Sequence, residues 1–310
     1  MSTAARQNPF GIVRRWLEAR GVRGRALVIA APAIWLTAFF IIPLLIVFQV
    51  SLSKSAIAIP PYLPLLTTQE GTVQVTLHLS NFLRLFQDNL YAVSYLNSVK
   101  IAAIATFFAL LVGYPMAYFV ARSSDRWRNI LLMLVILPFW TSFLLRVYAW
   151  IGMLKNEGVV NNFLEWIGII HEPIPFLQAD IAVYIGIVYC YLPFMILPLY
   201  ANLVKLDQAL LEASADLGAR PFRTFISITL PLSLPGVIAG SLLVFIPAIG
   251  EYVIPTLLGG SSFAMIGRVT FDEFFLNRDW PMASALAFAM LIVVVVPIML
   301  MQRAQDKVVR

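Results

Sequence analysis

Six mainly apolar stretches recur along the chain, near residues 26–50, 94–120, 130–153, 180–204, 231–258 and 282–301. A helix needs about 20 such residues to cross the hydrocarbon layer of a bilayer, and each stretch is long enough. The segments between them are mostly short. One longer segment, residues 51–93, starts with Pro60, Pro61 and Pro64 and continues into an amphipathic stretch, 79–90, suited to the membrane interface. Residues 158–170 (GVVNNFLEWIGII) predict a short helix that rests Phe163, Trp166 and Ile167 on the membrane or on the helical bundle. The pattern predicts an all-α integral membrane protein of six transmembrane helices. A basic arm, 1–25, precedes the first helix, 26–50; a long loop, 51–93, leads to the core, 94–301, and a short tail, 302–310, closes the chain.

Composition agrees and excludes other classes. Apolar residues make up 60% of the 310 and charged ones 12%, with a mean hydropathy of +0.84, which one soluble core cannot hide. A single cysteine, Cys190, excludes an internal disulfide, and His78 and His171 lie too far apart in sequence for metal-ligand spacing. No segment outside the spans carries a phosphate-binding glycine loop or a nucleophile elbow.

Charge then orients the chain. Fifteen of the 22 basic residues fall in the arm, the 121–129 loop, the 205–230 loop and the tail, with six acids among them. The opposite side has five basic residues and nine acids; Lys100, Arg146 and Glu251 lie in the spans. Cytoplasmic loops carry the excess of Lys and Arg, so both termini are predicted in the cytoplasm. The first span follows Arg14, Arg15, Arg20, Arg23 and Arg25 and has no small-residue cleavage pattern after it, which predicts an uncleaved anchor. The net +6 is thus a topological signal, not a nucleic-acid footprint.

The cytoplasmic stretch 207–231 (DQALLEASADLGARPFRTFISITLP) predicts two short helices meeting at a glycine. Asp207 caps the first, whose Leu210, Ala213 and Leu217 share a face, and Gly218 supplies a left-handed stop. Pro221 opens the second, with Phe222, Phe225 and Ile226 on its buried side, and Pro231 and Pro235 mark entry into the fifth span. Such a knob suits docking in a partner's groove.

These residues resemble a family, the permease subunits of bacterial ATP-binding-cassette (ABC) importers. Its cytoplasmic signature is Glu-Ala-Ala, three residues, Gly, nine residues, Ile, one residue, Leu-Pro. The chain has Glu212, Ala213, Ser214, Gly218, Ile228, Leu230 and Pro231 at those spacings, departing only in Ser214 for the second alanine. The resemblance implies the type I importer (MetI-like) permease fold and a transport subunit that is not itself an enzyme. The same resemblance implies that it binds no cofactor and that ATP and Mg are used by a partner ATPase. The implied partners are a second homologous permease, two cytoplasmic ATPase subunits and a periplasmic binding protein, in the bacterial inner membrane. Glu212 would make the polar contact with the ATPase, Ala213 and Ser214 would permit close approach, and Gly218 would form the bend.

Four further segments, 137–150 (LPFWTSFLLRVYAW), 179–198, 245–260 (FIPAIGEYVIPTLLGG) and 265–281 (MIGRVTFDEFFLNRDWP), are similar to polyamine importers of the putrescine (PotH) type. Physical reasoning from the residues agrees with a small organic cation, whether putrescine, spermidine or another cationic amine. Glu251, the lone acid within a span, lies about 20 residues, roughly 30 Å of helix, beyond the cytoplasmic entry of the fifth span. Two readings stand for it: contact with a substrate ammonium, or an ion pair with Arg146 on the third span. Trp140, Tyr148 and Trp150 on the third span and Tyr252 on the fifth offer ring faces to a cation, or pack within the bundle or at an interfacial belt. Asp272, Glu273 and Asp279 form an acidic outer loop that attracts cations, docks a binding protein or is simply solvated. Pro115, Pro138, Pro193, Pro198 and Pro247 break helical hydrogen bonds within the spans, which suits a gate but is also common in membrane helices generally. An ion-driven secondary transporter would need inverted repeats or several intramembrane acids. A membrane-embedded enzyme would need clustered His, Asp or Glu in the spans, and neither pattern is present.

Overall fold

The computed structural model describes residues 24–69, 72–260 and 263–308. The basic arm lies almost wholly outside them. Fourteen α-helices are described: α1 Gly24–Leu36, α2 Ile42–Ser51, α3 Ser80–Gln87, α4 Asn89–Arg122, α5 Asp125–Ile136, α6 Phe143–Leu154, α7 Val159–Trp166, α8 Asp180–Leu203, α9 Gln208–Asp216, α10 Pro221–Thr224, α11 Leu230–Ile249, α12 Val253–Leu258, α13 Ile266–Phe275 and α14 Trp280–Val308. The helical class holds with one addition. Within the 51–93 loop, Leu66–Gln69 (β1) and Thr72–Val75 (β2) pair antiparallel, Leu66 opposite Val75 and Gln69 opposite Thr72.

The chain divides into two compact units. The first contains α1, α2, the loop with its hairpin as far as Asn81, and residues 280–288. Thr37–Ile41 joins α1 to α2 as a π-helical turn, so 28–51 forms one apolar helix whose side chains are almost all exposed. Inside this unit Phe48 packs on Phe288 with ring centroids 4.7 Å apart. Asn81 Nδ2 donates to the carbonyls of Ser51 (2.8 Å) and Ser53 (2.9 Å), satisfying two groups at the helix end.

The second unit is built on α4, α8 and α11, which pack together around Ala109, Ala117, Met195, Ile196, Leu199 and Val244, all buried. Asp88 starts α4 by accepting from the Leu90 N–H at 2.9 Å. Helices α4 and α8 span the second and fourth predicted segments, and α14 covers the sixth. The other two predicted spans are interrupted. The third is broken at Thr141–Ser142, where the chain turns by 91° between Asp125–Trp140 and Phe143–Trp166. Pro138 has no N–H to continue the ladder, Leu137–Trp140 tightens to 3-10 geometry, and Thr141 Oγ1 donates to the Pro138 carbonyl at 2.7 Å. The fifth stops at Ile249, and residues 253–258 form the separate α12.

The segments outside the spans are ordered by side-chain bonds. Asn161 is buried and pins the α7 region: its Nδ2 donates to Lys155 O (3.2 Å) and Ile174 O (2.9 Å), and its Oδ1 accepts from Ile174 N (3.0 Å). Phe163, Trp166 and Ile167 are exposed, so among the described residues no bundle face covers them. Leu83 and Phe86 of α3 are likewise exposed.

Candidate functional site

Two regions hold the residues singled out in the sequence. The first is the knob. Asp207 Oδ1 accepts from Ala209 N at 3.0 Å and caps α9. At the other end Gly218 has φ +78°, with Gly218 N bonded to Ala215 O (2.8 Å) and Ala219 N to Ser214 O (3.1 Å). These two bonds are the Schellman pair that closes a helix through a left-handed residue. Ser214 is buried and its Oγ lies 2.8 Å from Thr224 Oγ1, tying α9 to α10. Glu212 and Ala213 are exposed.

Two expectations for the knob change. The second short helix is not separate: α10 continues through a π turn, Phe225–Thr229, into α11, giving one helix over 221–249. The wider turn absorbs the N–H missing at Pro231, so Pro231 and Pro235 lie within the helix instead of starting it. Phe222 and Ile226 are also not on a buried side. Only Phe225 turns inward, onto Tyr114 (5.5 Å, edge to face), while Phe222 is 74% and Leu217 88% exposed. Ile228 and Leu230 are half-buried and Pro231 exposed. The knob therefore presents large apolar side chains that no described residue covers.

The second region is where the fifth span stops. Glu251 is 6% exposed. Its Oε1 accepts from Val253 N (3.0 Å) and Ile254 N (3.4 Å), and its Oε2 accepts a short hydrogen bond from the Tyr191 hydroxyl. The carboxylate thus caps α12, which gives the break its physical cause: a new helix start competes with continuation of α11. The Tyr252 ring stacks on Phe271 with centroids 4.4 Å apart and planes 12° apart. Gly267 allows α13 to reach the break, because a Cβ there would lie 2.3 Å from Gly250 O.

Arg146 does not meet Glu251 among the described contacts. Its guanidinium carbon lies 5.2 Å from the centroid of the Phe139 ring and 5.6 Å from that of Phe143. Beside it opens a cavity of about 460 Å³ lined by Thr141, Leu145, Arg146, Ala149, Trp150, Met153 and Tyr189. Trp150 meets Tyr189 edge to face at 5.4 Å. Trp150 and Arg146 thus share a cavity wall, Tyr252 adjoins Glu251, and Trp140 and Tyr148 are exposed outside that wall.

The acidic outer loop is also rearranged. Glu273 is buried, accepting from Tyr91 OH at 2.8 Å and Asn277 Nδ2 at 3.0 Å, so it is not a solvated acid. Asp272 lies 4.0 Å from Arg268 and Asp279 3.7 Å from Arg84. Sequence reasoning missed Tyr191, Tyr189 and Tyr91, because tyrosines in apolar runs look alike until a partner from another helix reaches them.

Residues 109–310 match the family described as "Binding-protein-dependent transport system inner membrane component". The chain is 40% identical over 272 residues to "Spermidine/putrescine transport system permease protein PotB" of Haemophilus influenzae, covering 87% of this chain and 90% of the relative. It is 40% identical over 271 residues to the PotB of Escherichia coli K12, covering 87% and 94%. A solved structure, "Crystal structure of bacterial alginate ABC transporter in complex with alginate pentasaccharide-bound periplasmic protein", is similar in fold over 96% of each chain, with a TM-score of 0.69 at 17% identity.

Proposed function

The chain belongs to the family of binding-protein-dependent transport system inner membrane components, and from that premise we propose that it is a permease subunit of an ATP-driven polyamine importer that takes putrescine. The observation that carries the reading is the similarity to permeases named for spermidine and putrescine, which extends over nearly the whole chain. In this reading the chain forms half of the passage and a second permease the other half. A periplasmic binding protein delivers substrate, and two cytoplasmic ATPases supply the energy.

The knob at 207–231 is the coupling element in this reading. Glu212, Ala213, Ser214, Gly218, Ile228, Leu230 and Pro231 carry the signature, and the exposed Leu217 and Phe222 offer apolar anchors for a groove. Because 221–249 is one helix, a push on the knob has a rigid path into the bundle. At the other end of that helix, Glu251 and Tyr252 stand beside the break, and Trp140, Tyr148 and Trp150 supply ring faces for an ammonium group along the passage. Glu251 takes part through its carboxylate charge while its oxygens hold α12 and Tyr191 in place.

Reconstitution with the ATPases, the second permease and the binding protein tests the reading. ATP hydrolysis is expected to rise when the binding protein is loaded with putrescine, and to rise differently across a series of diamines and spermidine. Absence of stimulation by every polyamine would refute the substrate class.

A further inference from the structure

Among the described residues, no carboxylate forms an ion pair with Arg146. Its side chain sits on the first turn of α6, 9% exposed, and its Nε and Nη1 are buried without a hydrogen-bond partner. The Phe139 and Phe143 rings attract the cation by their faces but do not replace the acceptors its N–H groups need. Leaving a buried guanidinium unpaired is strongly unfavourable, and native chains pair such groups. Glu251 is already engaged by Tyr191 and two backbone N–H groups. No acceptor for these two nitrogens remains among the described residues, which points to another molecule.

The surroundings indicate which kind. Arg146 lines an open cavity with Trp150 and Tyr189, and Trp140 and Tyr148, outside the cavity lining, are exposed. Arginine, tryptophan and tyrosine are the residue types that concentrate at the centres of protein interfaces, where a desolvated charge meets its opposite. A polyamine carries only positive charge and cannot supply that acceptor; only once Arg146 is paired can the neighbouring ring faces meet an ammonium group. We propose that the cavity beside Arg146 receives an aspartate or glutamate side chain of the second permease subunit. The ion pair joins the two halves of the passage and neutralises a cation that would otherwise oppose a cationic substrate. This rests on the two-permease reading above.

The test is recovery of the second permease and of the ATPases when the tagged chain is purified from membranes as the assembled transporter. Arg146→Met and Arg146→Glu are expected to lower recovery of the second permease by roughly tenfold or more, since removing one member of a buried pair strands the other. ATPase recovery, which depends on the distant knob, should persist and reports a folded chain. Recovery with Arg146→Glu should return when one intramembrane acid of the second permease is changed to lysine. Unchanged recovery in both variants overturns the proposal. So does loss of one bound anionic phospholipid from Arg146→Met in native mass spectrometry with subunit recovery intact, which would assign the site to a lipid phosphate. If both variants also lose the ATPases, Arg146→Lys decides: retention of all subunits supports a charge pair, and their loss overturns it. A wild-type chain that brings down no second permease would instead remove the two-permease reading, and the proposal with it.

Discussion

Replacing Gly218 perturbs the knob through one backbone angle. The residue has φ +78°, and a Cβ built on it meets nothing within 4 Å. Crowding therefore contributes nothing to the penalty, which is conformational. An L-residue with a Cβ in the left-handed region costs about 1–2 kcal/mol, and a β-branched one more. About 1–2 kcal/mol shifts a local equilibrium roughly 5- to 30-fold, enough to undo the bonds from Gly218 N and Ala219 N that close α9. Asparagine tolerates this region, so Gly218→Asn should approach wild type, Gly218→Ala should be intermediate and Gly218→Val worst. The assay is stimulation of ATP hydrolysis by loaded binding protein in proteoliposomes, with helical content as the control for a folded bundle. About tenfold loss of stimulation is expected for valine. Equal coupling in valine and wild type would refute the role of the bend. Asparagine as poor as valine would refute the dihedral argument and point to a size limit at the contact surface.

Three further outcomes follow from particular contacts. Glu251→Gln keeps an acceptor for the α12 backbone but loses the charge, and charge-assisted bonds are about twice as strong as neutral ones; putrescine uptake should fall about tenfold with ATPase co-purification intact, and unchanged uptake would remove Glu251 from the pathway. Tyr91→Phe leaves the buried Glu273 carboxylate with Asn277 alone, which should lower stability by about 1–3 kcal/mol; a thermal melt of the purified chain measures it, and Glu273→Leu in the same background should cost less than the sum of the two single changes. Ser214→Ala removes the bond to Thr224 at about 0.5–1.5 kcal/mol while restoring the alanine of the importer signature, so ATPase stimulation should stay within about twofold of wild type; a larger loss would show that the serine has a role of its own.

Hydropathy and charge were legible along the chain because each depends on composition within a window of about 20 residues. That is why the number of apolar stretches, the Gly218 stop and the Asp207 cap could be read without coordinates: the lengths and caps are local properties. What lay beyond the sequence were outcomes decided by competition between distant groups. Pro138 could have been absorbed as a kink, but Thr141 satisfied its carbonyl and the chain turned by 91°. Pro231 looked like a helix start, yet the π turn before it let one helix run through 221–249. Glu251 and Glu273 are both acids beside apolar runs, and nothing in their neighbours in sequence says that each will be buried against a tyrosine 60 or 182 residues away. A carboxylate's role is set by which donors reach it, and those donors come from other helices. The same holds for Arg146: its position in an apolar stretch was visible in the sequence, but only packing revealed that two of its nitrogens are buried with no acceptor among the described residues.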